Sequence, residues 1–217
     1  MGERLVGKDG YLYIGALGAL ESGAASTAVV GWYKIASVAS SSSGFGETAE
    51  VGDVIYASPA ISMVSGDSAY PITLTKLAFV TNVPKSASKE KFENTVQTDD
   101  VKAYVESSKS EMSGTVEGYF IESDTTVDAI LNRFFRVVTD NGSGTRTYSG
   151  TSVGVLHFFM TRFETSTAGE VHKTEYMPSI VDSLTADKPM DGPQTFSFGY
   201  TVDGAEKPCI YNRTIAA

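Results

Sequence analysis

Gly150-Thr-Ser-Val-Gly154 has the letters of a nucleophile elbow, and His157 and His172 follow it, with Glu164 and Glu170 as available acids. That chemistry needs the serine on a tight turn between a strand and a helix, beside an oxyanion hole. Here the motif runs straight into Val153–Phe163, an aromatic stretch that reads as a strand. A triad confined to one hairpin lacks both the elbow and the oxyanion donors, so acyl transfer is not expected. Gly44-Phe-Gly46-Glu-Thr-Ala49 matches a dinucleotide fingerprint in letters, but Val51-Gly-Asp53 breaks the helix that would receive a pyrophosphate. His157, His172 and Glu175 are the remaining metal-ligand candidates. His172 and Glu175 stand three apart on one predicted strand and point to opposite faces, so hydrogen-bonded structural histidines are the expectation. No carboxylate pair stands out among the 26 acidic residues. The sequence argues against an enzyme, and no catalytic, metal or cofactor-binding residue is assigned.

The elements that could position any site follow from composition. The 217 residues are 41% apolar and 11% aromatic, enough for a core in one domain spanning 1–217. Lys and Arg number 17 against 26 Asp and Glu, a net charge of −9, which argues against binding duplex DNA or an anionic membrane. Cys209 is the single cysteine, so no internal disulfide and no cysteine-based zinc site can form. Within Lys207-Pro-Cys-Ile-Tyr211 it reads as a small buried hydrophobe. Arg4 and Lys8 before Tyr11–Leu20 imitate a signal peptide, but Glu3, Asp9, Glu21 and a run of Gly and Ala oppose one. Tyr11–Leu20 is half the length of a membrane span, so the expectation is a soluble chain that stays inside the cell that makes it.

Strands are predicted at Tyr11–Ile14, Val29–Ile35, Asp53–Tyr56, Tyr70–Thr81, Met112–Ile121, Val153–Phe163, Val171–Val181, Thr195–Val202 and Pro208–Thr214. The alternation of Phe196, Phe198, Tyr200 and Val202 with small polar residues is the most regular. Asp203-Gly204 reads as a hairpin turn onto the last strand. Residues 85–111, dense in alternating charge, read as a solvated edge strand and loop. Val127, Ile130, Leu131, Phe134, Val137 and Val138 fall on one helical stripe and predict a helix over 125–138, stopped by Asp140-Asn-Gly142. Residues 15–28 are weakly patterned, and 37–52 hold a serine run, Ser40–Ser43, then Gly44, Phe45 and Gly46. The expected class is mainly β (α+β by count): two packed antiparallel sheets, sandwich- or barrel-like, with one flanking α-helix, a long loop and terminal arms.

In order of elements the chain resembles the tail tube (major tail) proteins of long-tailed bacteriophages. The points of likeness are Gly7-Lys-Asp-Gly-Tyr-Leu-Tyr-Ile14, the loop Ser37–Gly52 and the charged stretch Phe92–Val101. Ser113–Phe120 with the helix after it, Tyr176-Met-Pro-Ser-Ile180 and Gly192–Tyr200 complete them. The resemblance implies a structural protein of the virion tail, made in the host cytoplasm, forming hexameric rings that stack into a tube. DNA would pass through without specific binding, and the further partners would be terminator, tape-measure and distal tail proteins, with no cofactor and no membrane. Glu117 and Glu175, read as outward strand carboxylates, become candidates to face the lumen. Ser40, Ser41, Ser42, Ser43, Gly44, Phe45 and Gly46, with 15–28 and Ile215–Ala217, become candidates for contacts between subunits. Two alternatives are carried. One is another phage structural protein, a tail terminator or capsid decoration protein; the other is a carbohydrate- or ligand-binding β-sandwich using Trp32, Tyr33 and Tyr119.

Overall fold

The computed structural model describes residues 11–23, 27–28, 30–40, 43–58, 60–77, 80–93, 104–119, 130, 133–150, 154–163, 168–187 and 189–214. Its strands, in chain order, begin with β1 (Tyr11–Leu17), β2 (Glu21–Ser22), β3 (Thr27–Ala28), β4 (Gly31–Ser37), β5 (Val54–Ala57) and β6 (Ile61–Ser62). Then come β7 (Ser68–Lys76), β8 (Val80–Asn82), β9 (Lys85–Glu93), β10 (Tyr104–Tyr119), β11 (Val137–Asp140) and β12 (Arg146–Ser149). The last are β13 (Leu156–Phe163), β14 (Val171–Asp187), β15 (Thr195–Val202) and β16 (Cys209–Thr214). The mainly β expectation holds. Among the described residues no helix is long and apolar enough to cross a membrane.

Instead of two stacked sheets there is one large antiparallel sheet of twelve strands, ordered β5-β4-β7-β1-β13-β14-β15-β10-β8, with β2, β9 and β16 paired at its sides. Two small pairs, β3–β6 and β11–β12, stand apart from it. A sheet this wide cannot stay flat, because strand twist accumulates. Chain connectivity sets the roll: β7 and β8 lie far apart in sheet order, yet Val80 follows Lys76 by four residues, at most ~14 Å of chain. The strands from β1 to β8 therefore curl around a core of Leu12, Ile14, Leu77, Val116, Phe158 and Phe198, without closing into a barrel.

The other half rolls the opposite way. β4 and β5 fold over the reverse face of β13 and β14, enclosing Val54, Ile72, Phe159 and Tyr176, with Trp32 and Cys209 packed beside them. Tyr211 donates its hydroxyl to the Tyr56 carbonyl at 3.1 Å, and the Arg213 guanidinium lies 4.5 Å from the Tyr56 ring, joining β5 to β16. Consecutive residues of the central strands are thus buried on opposite faces, Phe158 in one core and Phe159 in the other. That is why β13 reads as a continuous apolar run rather than an alternating one.

Within 15–28, β1 reaches Leu17, β2 pairs with β7 and β3 with β6. Two expectations are corrected. Half of the predicted helix lies outside the described residues and Ile130 is helical, but its final residues are extended, since Val137 and Val138 pair with Ser149 and Tyr148. The turn chemistry after them explains this. Asp140 accepts the Gly142 N–H at 2.9 Å, and the Asn141 carboxamide oxygen accepts those of Ser143 at 3.0 Å and Thr145 at 3.3 Å, closing a hairpin rather than a helix end. Asp203-Gly204 makes no hairpin either. Asp203 caps a single 3-10 turn through the Ala205 N–H, and β16 continues along β14 where β15 leaves off.

Candidate functional site

The second half of β14 (Ile180–Asp187), β15, the end of β10 (Ser113–Tyr119) and β8 form a four-stranded section with one buried and one open face. Register assigns the core-side face: Val116, Phe198 and Leu184 lie across from one another, as do Gly118, Phe196 and Ala186, with burial complete on β10 and β15 and lost along β14 at Ala186. Full burial of one such phenylalanine contributes about 1.5–3 kcal/mol, so this face fixes the section's register. The open face is then forced by the period of two. Across it run Ser113, Thr115, Glu117 and Tyr119 of β10, then Thr201, Gly199, Ser197 and Thr195 of β15. Ser183, Thr185 and Asp187 of β14 complete it.

A bulge between Val181 and Ser183 adds one more carboxylate, turning Asp182 outward beside Ser183. Gly199 makes room for both, since a β-carbon there would lie 2.4 Å from Ser183 Oγ and 2.5 Å from Asp182 Oδ1. Thr201 donates its hydroxyl to Asp182 at 3.0 Å, the Gly199 N–H donates to Ser183 Oγ at 3.1 Å, and Asn82 donates its amide to Glu117 at 3.2 Å. Among the described residues this face carries Glu117, Asp182 and Asp187 and no Lys or Arg. Lys85, at its rim, turns its ammonium away to Glu175. A shallow groove of about 290 Å³ runs between Glu117, Thr185, Asp187 and Ser197. Chemically the surface is hydroxyls and carboxylates: hydrated, repelling polyanions, with nothing to grip a phosphate. Both borders are open strand edges, since among the described residues Ile180–Asp187 pairs only with β15, and β8 only with β10.

Of the two carboxylates expected to be exposed, Glu117 lies on this face. Glu175 does not: it is 5% exposed, on the opposite parity, and ion-paired with Lys85. Simple alternation failed because Thr174–Ser179 is covered on both faces. Asp182 and Asp187 lie beyond Val181, where the predicted strand stops; the strand continues to Asp187 past a bulge between Val181 and Ser183.

The serine loop is held by its own chain. The Asp67 carboxylate, 1% exposed, accepts the N–H groups of Ala39 at 2.8 Å, Gly44 at 2.8 Å and Val64 at 3.1 Å, and the Ser43 hydroxyl at 2.8 Å. Phe45 packs on Tyr33, Ala57, Met63 and Ala69. Ser40 and Gly46 are exposed, and Ser41 and Ser42 lie outside the described residues. Serine and glycine alone would leave such a loop unanchored; the signal for its order is Asp67, a carboxylate that can stay buried only if the chain supplies it with donors.

The remaining candidates are structural. His157 Nδ1 meets the Tyr176 hydroxyl at 2.8 Å with the rings stacked. Burial lowers the pKa of His157, helped by Lys34 and Arg133 against Glu206, and burial raises that of Tyr176, so both stay neutral at pH 7. His172 meets Thr174 at 3.1 Å and lies opposite Arg213, whereas His157 on β13 lies opposite Pro178, six residues further along β14, so the two rings are not brought together. Ser152 lies outside the described residues. Tyr33 is buried and cannot serve as a sugar platform; Trp32 is half-buried, its ring packed against those of Tyr56, Phe159 and Tyr211. Burial raises the Cys209 thiol pKa, which makes it a poor nucleophile.

No family model matches the sequence, and no curated protein matches it. Among solved structures, the chain is similar to one in the tail of an empty gene transfer agent particle refined with C6 symmetry. The two are 12% identical, with a TM-score of 0.44 over 65% of this chain and 87% of that one. It is likewise similar to one in the virion of a native gene transfer agent particle, at 12% identity and a TM-score of 0.43, over 65% of this chain and 89% of that one.

Proposed function

We propose that this chain is a structural subunit of a virion tail, closing with copies of itself into hexameric rings that stack into a tube for DNA. The observation that carries this reading is the four-stranded section, which among the described residues joins an acidic face without Lys or Arg to two edges that pair with no further strand. Open edges are ordinarily blunted by charge or covered, and edge-to-edge joining of neighbours satisfies their backbone groups. Six copies lending four strands each make a cylinder of roughly 24 strands. At ~4.8 Å spacing and ~40° tilt its circumference is about 150 Å. Subtracting side chains leaves a bore on the order of 35 Å, wider than a DNA duplex.

Glu117, Asp182 and Asp187 would then place about 18 carboxylates around each ring's bore, repelling the phosphates that must slide past. The loop fixed by Asp67 carries Gly46–Val51 outward at the end of the strands, where a stacked ring would meet it. Its position there is consistent with the sequence resemblance to tail tube proteins, and the terminator, tape-measure and distal tail proteins remain the expected further partners. Electron microscopy of the purified full chain at rising concentration tests the reading: stacked rings with a stain-filled bore are expected. A particle that stays monomeric, or closes as one ring and never stacks, refutes the tube, and single rings would favour a terminator.

A further inference from the structure

Among the described residues, strands β11 and β12 pair only with each other and leave the sheet at the end where β1, β4 and the serine loop also turn. The ribbon's root is firm. Ile130 is 1% exposed in the core, Arg133 donates from Nη1 to the Gly154 carbonyl at 2.6 Å, and Leu156 returns the chain to the core. Beyond that root, every described residue from Phe135 to Gly154 except Val137 is exposed. A lone two-stranded ribbon is marginal in water, and this one also exposes Phe135 at 61%, Val138 at 50% and Tyr148 at 54%.

Its chemistry is unlike the rest of the surface. Val138 stands directly opposite Tyr148, the Arg136 guanidinium lies 5.0 Å from the Tyr148 ring, and Arg146 reaches Asp140 at 3.0 Å on the same face. Tyrosine and arginine around an apolar centre are the composition of binding hot spots. Residues 133–150 hold Arg133, Arg136 and Arg146 against Asp140 alone, in a chain whose net charge is −9. The turn is pre-ordered by Asp140 and Asn141, which reduces the entropy cost of docking.

We propose that the β11–β12 ribbon docks on a second copy of this chain, laying its Arg136–Val138–Tyr148 face on an acidic surface of the next subunit. A second copy fits because the chain outside the ribbon is acidic on balance, so the contact is attractive in charge and covers the exposed aromatics. The ribbon leaves one end of the strands while the β9–β10 ribbon runs out at the other. The contact is therefore head-to-tail and can repeat along an axis. This inference rests on the tube reading and names the part that joins one ring to the next.

The test compares the full wild-type chain with the double variant Arg136→Glu, Arg146→Glu, by sedimentation velocity and electron microscopy. Both positions are exposed and lie outside the core, so an unchanged melting temperature of the sheet is expected, and Arg136→Glu alone, which keeps the Arg146–Asp140 pair across the ribbon, should weaken stacking in the same direction. The double variant should need at least about ten-fold more protein to stack, while still forming rings. Equal stacking by both proteins overturns the ribbon's role and leaves the tube standing; a wild type that never associates overturns both. As a second measurement, Ser143→Cys at the ribbon tip is labelled with a photo-crosslinker. Chain-to-chain ladders are expected in assembled material, and their absence from stacked tubes overturns the proposal.

Discussion

Replacing Asp67 with asparagine tests whether a single buried carboxylate holds the serine loop. Oδ1 accepts the Ala39 N–H and the Ser43 hydroxyl, and Oδ2 accepts the Gly44 and Val64 N–H groups. Asparagine offers one oxygen and one amide, so in either orientation two donors face an N–H₂ and lose their acceptor. Hydrogen bonds to a charged group contribute about 1.5–3 kcal/mol each, so Asp67→Asn should cost roughly 3–6 kcal/mol. Set against a typical total stability of about 5–15 kcal/mol, that is a large fraction. The melting temperature should fall by roughly 6–24 °C. Hydrogen exchange at the amides of Ala39, Gly44 and Val64 should accelerate first.

The pH dependence carries a sign. Burial pushes the Asp67 carboxyl up, but the N–H groups of Ala39, Val64 and Gly44, with the Ser43 hydroxyl, outweigh it and hold its pKa below the ordinary value. A depressed carboxylate stabilises fully above its unfolded pKa, near ~3.9, and the contribution is lost as pH falls through the folded value. The gap between wild type and Asp67→Asn should therefore narrow below about pH 4. A melting temperature within about 2 °C of wild type at pH 7, with unchanged amide exchange, would refute the reasoning.

Three further predictions follow the same logic. Lys85→Ala removes one charged partner of the buried Glu175 and should cost about 1.5–3 kcal/mol in urea unfolding, while Lys85→Met with Glu175→Leu should recover most of that loss. Gly114→Ala puts a β-carbon 2.4 Å from the Pro84 carbonyl oxygen and 2.6 Å from the Tyr200 hydroxyl, an overpacking of about 1–3 kcal/mol readable as a lower urea midpoint. The triple variant Glu117→Lys, Asp182→Lys, Asp187→Lys should assemble yet retain duplex DNA at about 50 mM salt. Its affinity should drop at least roughly 10³-fold by about 200 mM, whereas wild type should retain none at either.

Sequence legibility followed the range of the forces. The strict alternation in Thr195–Val202 forecast which side chains of β15 are buried, because one face packs on a core and the other does not. Adjacent bulky residues such as Phe158 and Phe159 marked a strand covered on both faces, though not what covers the second face, since Trp32 and Val54 arrive from more than a hundred residues away. Glu175 and Asp182 were misjudged or missed for related reasons: long-range packing hid the first, and a local bulge exposed the second. Val137 and Val138 fit a helical stripe, but they are β-branched and precede a strong turn, and the hairpin won. In the serine loop, composition suggested mobility, and one buried acid overrode it.

A three-dimensional reconstruction of assembled protein by electron cryomicroscopy tests the central claim most directly. The account predicts that Glu117, Asp182 and Asp187 point toward the axis of a continuous β-lined bore, with Ile180–Asp187 paired to a strand of the neighbouring copy. The same three carboxylates on the outer wall, or buried between subunits, would contradict it.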